Sequence, residues 1–169
     1  AVLLLVAIIA AIALTLRRRK RGRETVAGVP SRFIAEMKLH ENAVKVNPRE
    51  HLKALRAAFG PRVPLRLDPN ASWSYETALR WGREMEGLLE YYEDPTPGLD
   101  GMAELHRRTG VPLATNMVVT DFDELRQSLE RDSVQIVLAD HHFWGGLRDT
   151  QILARMCGVF GLGVSMHSN

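Results

Sequence analysis

The chain has 169 residues, 46% of them hydrophobic and 25% charged, with 22 basic and 20 acidic side chains and a formal net charge of +2. This composition excludes a disordered chain, which would contain fewer apolar residues and carry a larger net charge, and it predicts one folded domain. The single cysteine, Cys157, excludes an internal disulfide framework and a cysteine-rich zinc site.

The N-terminal residues combine an apolar run with a basic cluster. Residues 1–16 carry no charge, and residues 17–23 read RRRKRGR. A 16-residue helix spans about 24 Å, slightly less than the roughly 30 Å hydrocarbon core of a bilayer. Because the positive charges follow the apolar run, the pattern favours a membrane anchor with a cytoplasmic basic flank over a secretory signal. A buried helix and a wrongly joined reading frame are the alternatives.

The rest of the chain has a different charge balance. Residues 24–169 contain 16 basic and 20 acidic side chains, a formal charge of −4, which argues against a nucleic-acid groove on the body of the protein. Residues 22–32 contain Gly, Pro and Ser without periodicity. We therefore predict an apolar helix with its basic flank in 1–23, a linker in 24–32 and a catalytic domain in 33–169.

From residue 33 onward, short apolar runs alternate with amphipathic segments. Helix patterns occupy residues 48–59, 74–87, 121–130 and 147–159, and Thr120 with Asp123 forms a capping-box-like pair. Apolar strand patterns occupy residues 65–67, 88–92, 112–115, 134–139 and 162–166. Strands that alternate with helices of about a dozen residues predict an α/β fold built from parallel βα units.

One polar residue stands at the end of each predicted strand. These residues are Asp68, Glu93, Asn116, Asp140 and His167. Each alone is typical of a turn or a rim histidine, but the carboxyl ends of parallel strands converge on one face of a barrel. Three oxygen donors suit Mg²⁺, and a carboxylate beside an imidazole suits a base. Together they predict removal of a proton adjacent to a carboxylate.

The strand-end strings resemble those of a known family. LRLDPNASWS, YYEDPTPGLDGM, PLATNMVVTDF, VLADHHFWGGL and GLGVSMHSN are similar to the enolase superfamily, specifically the glucarate dehydratase-like acid-sugar dehydratases related to mandelate racemase. The resemblance covers about residues 36–169. It implies a partial TIM-type (β/α) barrel, about strands 2–7, with an extra N-terminal apolar helix. It also implies essential Mg²⁺ and abstraction of the proton α to a carboxylate through a metal-stabilised enediolate, followed by elimination of water from an acid sugar (aldarate).

The resemblance assigns roles to individual residues. The implied metal ligands are Asp68, Glu93 and Asn116, and the implied catalytic dyad is His167 with Asp140. The implied substrate contacts are Asn70, Ser168 and Asn169.

Two features depart from the family pattern. Family members carry a Lys-x-Lys pair at the end of the second barrel strand, where this chain has Lys38-Leu39-His40. His40 is shorter and less cationic than the lysine that acts as the base in family members. Lys45 is a weaker candidate for this base. The chain also supplies about six of the eight strands of a barrel, so we expect a fragment of a longer enzyme, or a degenerate one, with poor turnover.

Several alternatives stay open. A racemase or epimerase of the same superfamily shares the first chemical step, and a membrane-tethered inactive remnant would only bind carboxylate ligands. We expect a cytoplasmic location, with or without anchoring through residues 1–16, and a homo-oligomer by analogy only. His141 and His142 follow Asp140 directly. Because neighbouring residues of an extended strand point to opposite faces, we expect that they do not form a chelating pair and that both lie at the rim.

Overall fold

The structure is a computed structural model, and it describes residues 35–38 and 47–167. Its strands are β1 (Ala35–Lys38), β2 (Leu65–Asp68), β3 (Tyr91–Glu93), β4 (Leu113–Thr115), β5 (Ile136–Ala139) and β6 (Gly163–Met166). The helices in this part of the chain are α1 (Pro48–Phe59), α2 (Tyr75–Glu84), α3 (Leu99–Thr109), α4 (Phe122–Arg131) and α5 (Leu147–Phe160).

The six strands form one sheet whose spatial order follows the chain, from β1 to β6. Every neighbouring pair is parallel, and one helix connects each consecutive pair from β2 to β6. Sequential parallel strands joined by helices are the arrangement of a (β/α) barrel wall. The predicted parallel βα architecture is therefore confirmed, whereas the predicted N-terminal apolar helix lies outside the described residues.

The strand side chains alternate between the two faces of the sheet, because a β-strand has a two-residue period. One face packs against the helices in the main core, with Leu65, Leu67, Tyr92, Leu113 and Val137. The opposite face carries a smaller apolar cluster of Tyr91, Ala114 and Leu138. Each member of this cluster precedes a predicted site residue by two positions. The sheet period therefore places Glu93, Asn116 and Asp140 on the same face as the cluster.

The helix starts explain which helices the sequence reveals. Asn47 caps α1 by accepting hydrogen bonds from the backbone N–H groups of Arg49 and Glu50, and Ser74 caps α2. The expected Thr120–Asp123 pair is wrong by one residue, because Asp121 is the N-cap of α4 and accepts from Glu124 N. The sequence patterns do not predict helix α3, because its N-cap is Gly98, which has no side chain to accept a capping hydrogen bond.

No helix within residues 35–38 and 47–167 is long and apolar enough to cross a membrane. Residues 1–16, the predicted anchor, are outside this part of the chain.

Candidate active site

Four buried polar residues lie at the carboxyl ends of neighbouring strands. Asp68 and Glu93 end β2 and β3, and Asn116 and Asp140 directly follow β4 and β5. Burying carboxyl and amide groups is costly unless they have partners or a ligand to bind, so their concentration at one sheet edge marks a site. His167 follows β6 at the same edge.

Asp140 and His167 face each other across neighbouring strands. Leu138 pairs with Ser165 and Ala139 with Met166, and His167 N continues this ladder by donating to the Ala139 carbonyl at 2.9 Å. His167 Nδ1 lies 3.5 Å from Asp140 Oδ2, at the outer limit of a hydrogen bond. The Asp140 side chain is 1% exposed and that of His167 is 18% exposed. The carboxylate is therefore buried, while the imidazole beside it is accessible to a substrate.

A second histidine contacts the same carboxylate. Asp140 Oδ1 accepts from His142 N at 2.8 Å and lies 2.9 Å from His142 Nδ1. The His142 backbone N–H holds the pKa of Asp140 below its usual value, with further lowering by the His142 and His167 side chains against the opposing effect of burial. Asp140 is therefore ionised at neutral pH and can orient an imidazole.

The expectation that His141 and His142 point to opposite faces is wrong. The chain turns immediately after Asp140, where Phe143 N and Trp144 N both donate to the Asp140 carbonyl. This turn brings the two imidazole rings to a centroid separation of 4.0 Å, and ligand atoms of Asp140, His141 and His142 lie within 4.8 Å of one another. Imidazole nitrogens suit transition metals rather than Mg²⁺, so this cluster differs in chemistry from the oxygen donors of β2–β4.

The loop after β2 brings Asn70 to the site. Asn70 N donates to Asp68 Oδ1 at 2.8 Å, and Asn70 and Ala71 both have left-handed backbones with φ of 53° and 54°. The buried Asn70 Nδ2 has no hydrogen-bond partner among residues 35–38 and 47–167. A buried amide donor of this kind suits an oxygen of a bound carboxylate or hydroxyl group.

Asp94, at the edge of the site, is a residue that the sequence patterns did not single out. It is fully buried, and its carboxylate accepts hydrogen bonds from Thr115 Oγ1 at 2.5 Å and Asn116 N at 2.9 Å. Burial raises the pKa of Asp94 to about 6, and the nearby Asp68 charge adds to the rise, although the hydrogen bonds oppose it. The available signal was the second acidic residue of YYEDP, directly after the predicted ligand Glu93.

The remaining predicted residues lie at or beyond the limits of the described chain. Lys38 ends β1, where its Cα is in register with Asp68. His40, Lys45, Ser168 and Asn169 lie outside the described residues.

The donor set at β2–β4 fits the implied metal. Asp68, Glu93 and Asn116 offer oxygen ligands, and Mg²⁺ is a hard cation that prefers carboxylates and amide oxygens. Their burial at the carboxyl edge of consecutive strands agrees with such a site.

Comparisons with known proteins agree with the architecture. A probable glucarate dehydratase of Streptomyces coelicolor is 58% identical over 118 residues, which cover 70% of this chain and 27% of the relative. An enolase structure from Pseudomonas fluorescens Pf0-1, solved with magnesium, potassium and tartrate, is 68% identical with a TM-score of 0.69 and covers 72% of this chain and 28% of that one.

A third comparison extends the fold match. A racemase structure from Streptomyces coelicolor with bound magnesium has a TM-score of 0.76 at 22% identity and covers 95% of this chain and 43% of that one. The predicted partial TIM-type barrel is therefore confirmed. This chain spans about a quarter of the length of its more similar relatives.

The family resemblance drawn from the strand-end motifs is also confirmed. A family profile described as "Enolase C-terminal domain-like" matches residues 23–169, which include all the predicted site residues. The chain belongs to this enolase C-terminal domain-like family.

Proposed function

We propose that this chain is part of a Mg²⁺-dependent acid-sugar dehydratase, a lyase that removes the proton α to a carboxylate and eliminates water. The observation that carries the proposal is the single sheet edge shared by the buried oxygen donors of β2–β4 and the Asp140–His167 pair. The 58% identity to a protein named probable glucarate dehydratase supports glucarate or a related aldarate as the substrate.

The proposed metal ligands are Asp68, Glu93 and Asn116. Bound Mg²⁺ would offset the negative charge that develops on the substrate carboxylate as its α-proton leaves. These three residues would hold the ion while leaving room for substrate oxygens, because Mg²⁺ retains positions that protein ligands do not fill.

The proposed base is His167. Ionised Asp140 favours the imidazole tautomer with its proton on Nδ1, which leaves Nε2 as the acceptor for the substrate proton. The Asn70 amide would donate to a substrate oxygen. Ser168 and Asn169 remain proposed substrate contacts. Lys38 or His40 is the proposed base on the opposite face of the substrate.

For the whole enzyme we propose a cytoplasmic location, a division of the chain at residues 23 and 32, and assembly as a homo-oligomer. Membrane attachment through residues 1–16 is a separate proposal, and fractionation of the natively expressed protein tests it.

Deuterium exchange tests the site directly. The full chain is incubated with glucarate and Mg²⁺ in D₂O, and incorporation at the α-carbon is followed by NMR. Asp68→Ala and His167→Ala should each abolish incorporation, since the first removes a metal ligand and the second removes the base. Retained exchange in either variant would contradict the assigned roles.

Matched substitutions outside the site control for nonspecific loss. Asp100→Ala changes an exposed carboxylate that pairs with Arg131, and His51→Ala changes a histidine on α1. Neither should alter the exchange rate. A keto-deoxy product identifies a dehydratase and an inverted α-carbon identifies an epimerase. Mg²⁺-dependent binding of glucarate without incorporation identifies the inactive remnant.

A further inference from the structure

Asp94 makes hydrogen bonds to the loops after two neighbouring strands. Its backbone carbonyl accepts from Ala71 N at 2.6 Å, in the loop after β2. Its carboxylate accepts from Thr115 and Asn116, at the end of β4. Asp94 itself follows Glu93 at the end of β3. One buried residue therefore connects the three chain segments that carry the proposed metal ligands.

The Thr115 hydroxyl extends these connections beyond Asn116. It accepts from Met117 N at 3.1 Å and from Val118 N at 2.9 Å while it donates to Asp94. The chain is thus held on both sides of Asn116. We call Ala71, Asp94, Thr115 and Asn116 the Asp94 network.

The backbone at this network is strained. Among the described residues, four non-glycine residues have positive φ, and three of them are Asn70, Ala71 and Asp94, with φ of 36° at Asp94. Such conformations cost free energy and persist only where surrounding contacts hold them. The hydrogen bond from Ala71 N to the Asp94 carbonyl joins two of these residues, which places the strain at the proposed metal edge.

We propose that Asp94 is a positioning residue that fixes the separation of the Asp68, Glu93 and Asn116 ligands. This role rests on the proposed Mg²⁺ site. Asp94 directly follows β3 with a left-handed backbone, and its carboxylate accepts hydrogen bonds from the Thr115 hydroxyl and from Asn116 N. It acts on the ligands indirectly, through its hydrogen bonds to the backbone of Asn116 and to the loop that carries Asn70.

Asp94→Asn tests this role with little change in shape. Its remaining oxygen can still accept from Thr115, but its NH₂ group cannot accept from Asn116 N. We expect the affinity of the full chain for Mg²⁺ alone, measured by calorimetric titration, to fall about 10- to 100-fold, the usual loss when a residue behind a metal ligand is changed. Unchanged affinity in Asp94→Asn would overturn the role.

A second pair of variants separates position from charge. Thr115→Val removes the hydroxyl from the network and keeps the Asp94 carboxylate, so it should also weaken Mg²⁺ binding. Thr115→Ser keeps the hydroxyl and should restore most of the affinity. If Asp94→Asn weakens binding while Thr115→Val does not, the effect arises from the lost negative charge, and the positioning role is wrong.

The control for lost stability is Cys157→Ala, a truncation of a fully buried side chain in α5. It should lower the unfolding midpoint without changing Mg²⁺ affinity. In the metal-free protein, hydrogen exchange at the Asn116 amide should increase in Asp94→Asn but not in Cys157→Ala, because only the first substitution removes the acceptor of that amide. Equal loss of Mg²⁺ affinity in both variants would show a merely structural effect and overturn the proposal.

The parent chain distinguishes failure of this inference from failure of the proposed function. If the parent binds no Mg²⁺, the metal site is wrong, and the positioning role fails with it. If the parent binds Mg²⁺ and Asp94→Asn binds it equally well, the positioning role alone fails.

Discussion

Two buried aspartates near the sheet edge have opposite pKa shifts. Asp94 lies near the negative charge of Asp68, and burial raises its pKa to about 6. Asp140 accepts from the His142 backbone and lies beside two imidazoles, so its pKa is lowered although its side chain is buried. Burial is the largest effect on the pKa of Asp94 and outweighs its hydrogen bonds, whereas at Asp140 the hydrogen bonds outweigh burial. Asp140 is therefore suited to orient a base.

The lowered pKa of Asp140 predicts an effect on acid stability. A carboxylate with a lower pKa in the folded state stabilises the fold above its unfolded pKa of about 3.9, and this contribution is lost as the pH falls through the folded pKa. The parent should therefore lose more stability than Asp140→Asn between about pH 5 and 3. Urea unfolding midpoints in EDTA measure this.

Asp100→Asn, at an exposed carboxylate, is the control and should follow the parent curve. The raised pKa of Asp94 acts in the opposite direction, with stability falling as the pH rises from about 4 to 6, but it is present in all three proteins. Parallel curves for the parent and Asp140→Asn would contradict the prediction.

At the scale of elements, α2 and α3 pack closely at a glycine. A Cβ added to Gly82 would lie 2.9 Å from Thr109 Cγ2 and 3.8 Å from Leu105 Cδ1. Thr109 is buried, and its hydroxyl donates to the Leu105 carbonyl at 2.8 Å, which restricts its rotation. Gly82 is therefore required by the contact between two helices and not by the backbone of α2.

Gly82→Ala should destabilise the protein although alanine is the better helix former. Alanine gains about 1 kcal/mol of helix propensity, but overpacking typically costs about 1–3 kcal/mol, so we expect a net loss of about 1 kcal/mol in the free energy of unfolding. Chemical denaturation measures the change.

Gly158→Ala in α5 is the matched control. No atom of the described residues lies within 4 Å of the added Cβ, so this variant should gain about 0.5–1 kcal/mol in the free energy of unfolding. Stabilisation by both substitutions would show that α2 and α3 separate easily and would contradict the packing argument.

At the scale of the whole molecule, burial differs along the sheet. All residues of β3 and β4 are buried, whereas all four residues of β6 are exposed. Large apolar side chains are also exposed on α5 and β6, at Leu147, Val159, Phe160 and Met166. Because burial of apolar surface supplies most of the stability of a fold, the β6 end should be the less stable part of the sheet.

Native-state hydrogen exchange should show this gradient. The amides of Gly163–Met166 should exchange faster than those of Tyr91–Glu93 and Leu113–Thr115, because β6 can open without exposing a packed core. The central strands serve as the internal control in the same experiment. Equal protection of the β6 and β4 amides would contradict this gradient. It would show that β6 is covered in solution by another part of the chain or by another molecule.

The sequence by itself determined the order of the βα units and the polar residue that ends each strand. This was possible because strand and helix periods, caps and strand-end residues are local properties. The helix that it missed, α3, begins at a glycine without a side-chain cap, and the histidine geometry was wrong because a turn replaces the extended chain after Asp140.

Only the tertiary structure decided how the site residues are held and charged. The Asp94 network joins segments more than 20 residues apart, and the pKa shifts of Asp94 and Asp140 depend on neighbours contributed by other strands and loops. The exposure of β6 is likewise a property of the assembled sheet. A sequence pattern predicts which face a side chain occupies, but through-space contacts, burial and charge exist only once the strands lie side by side.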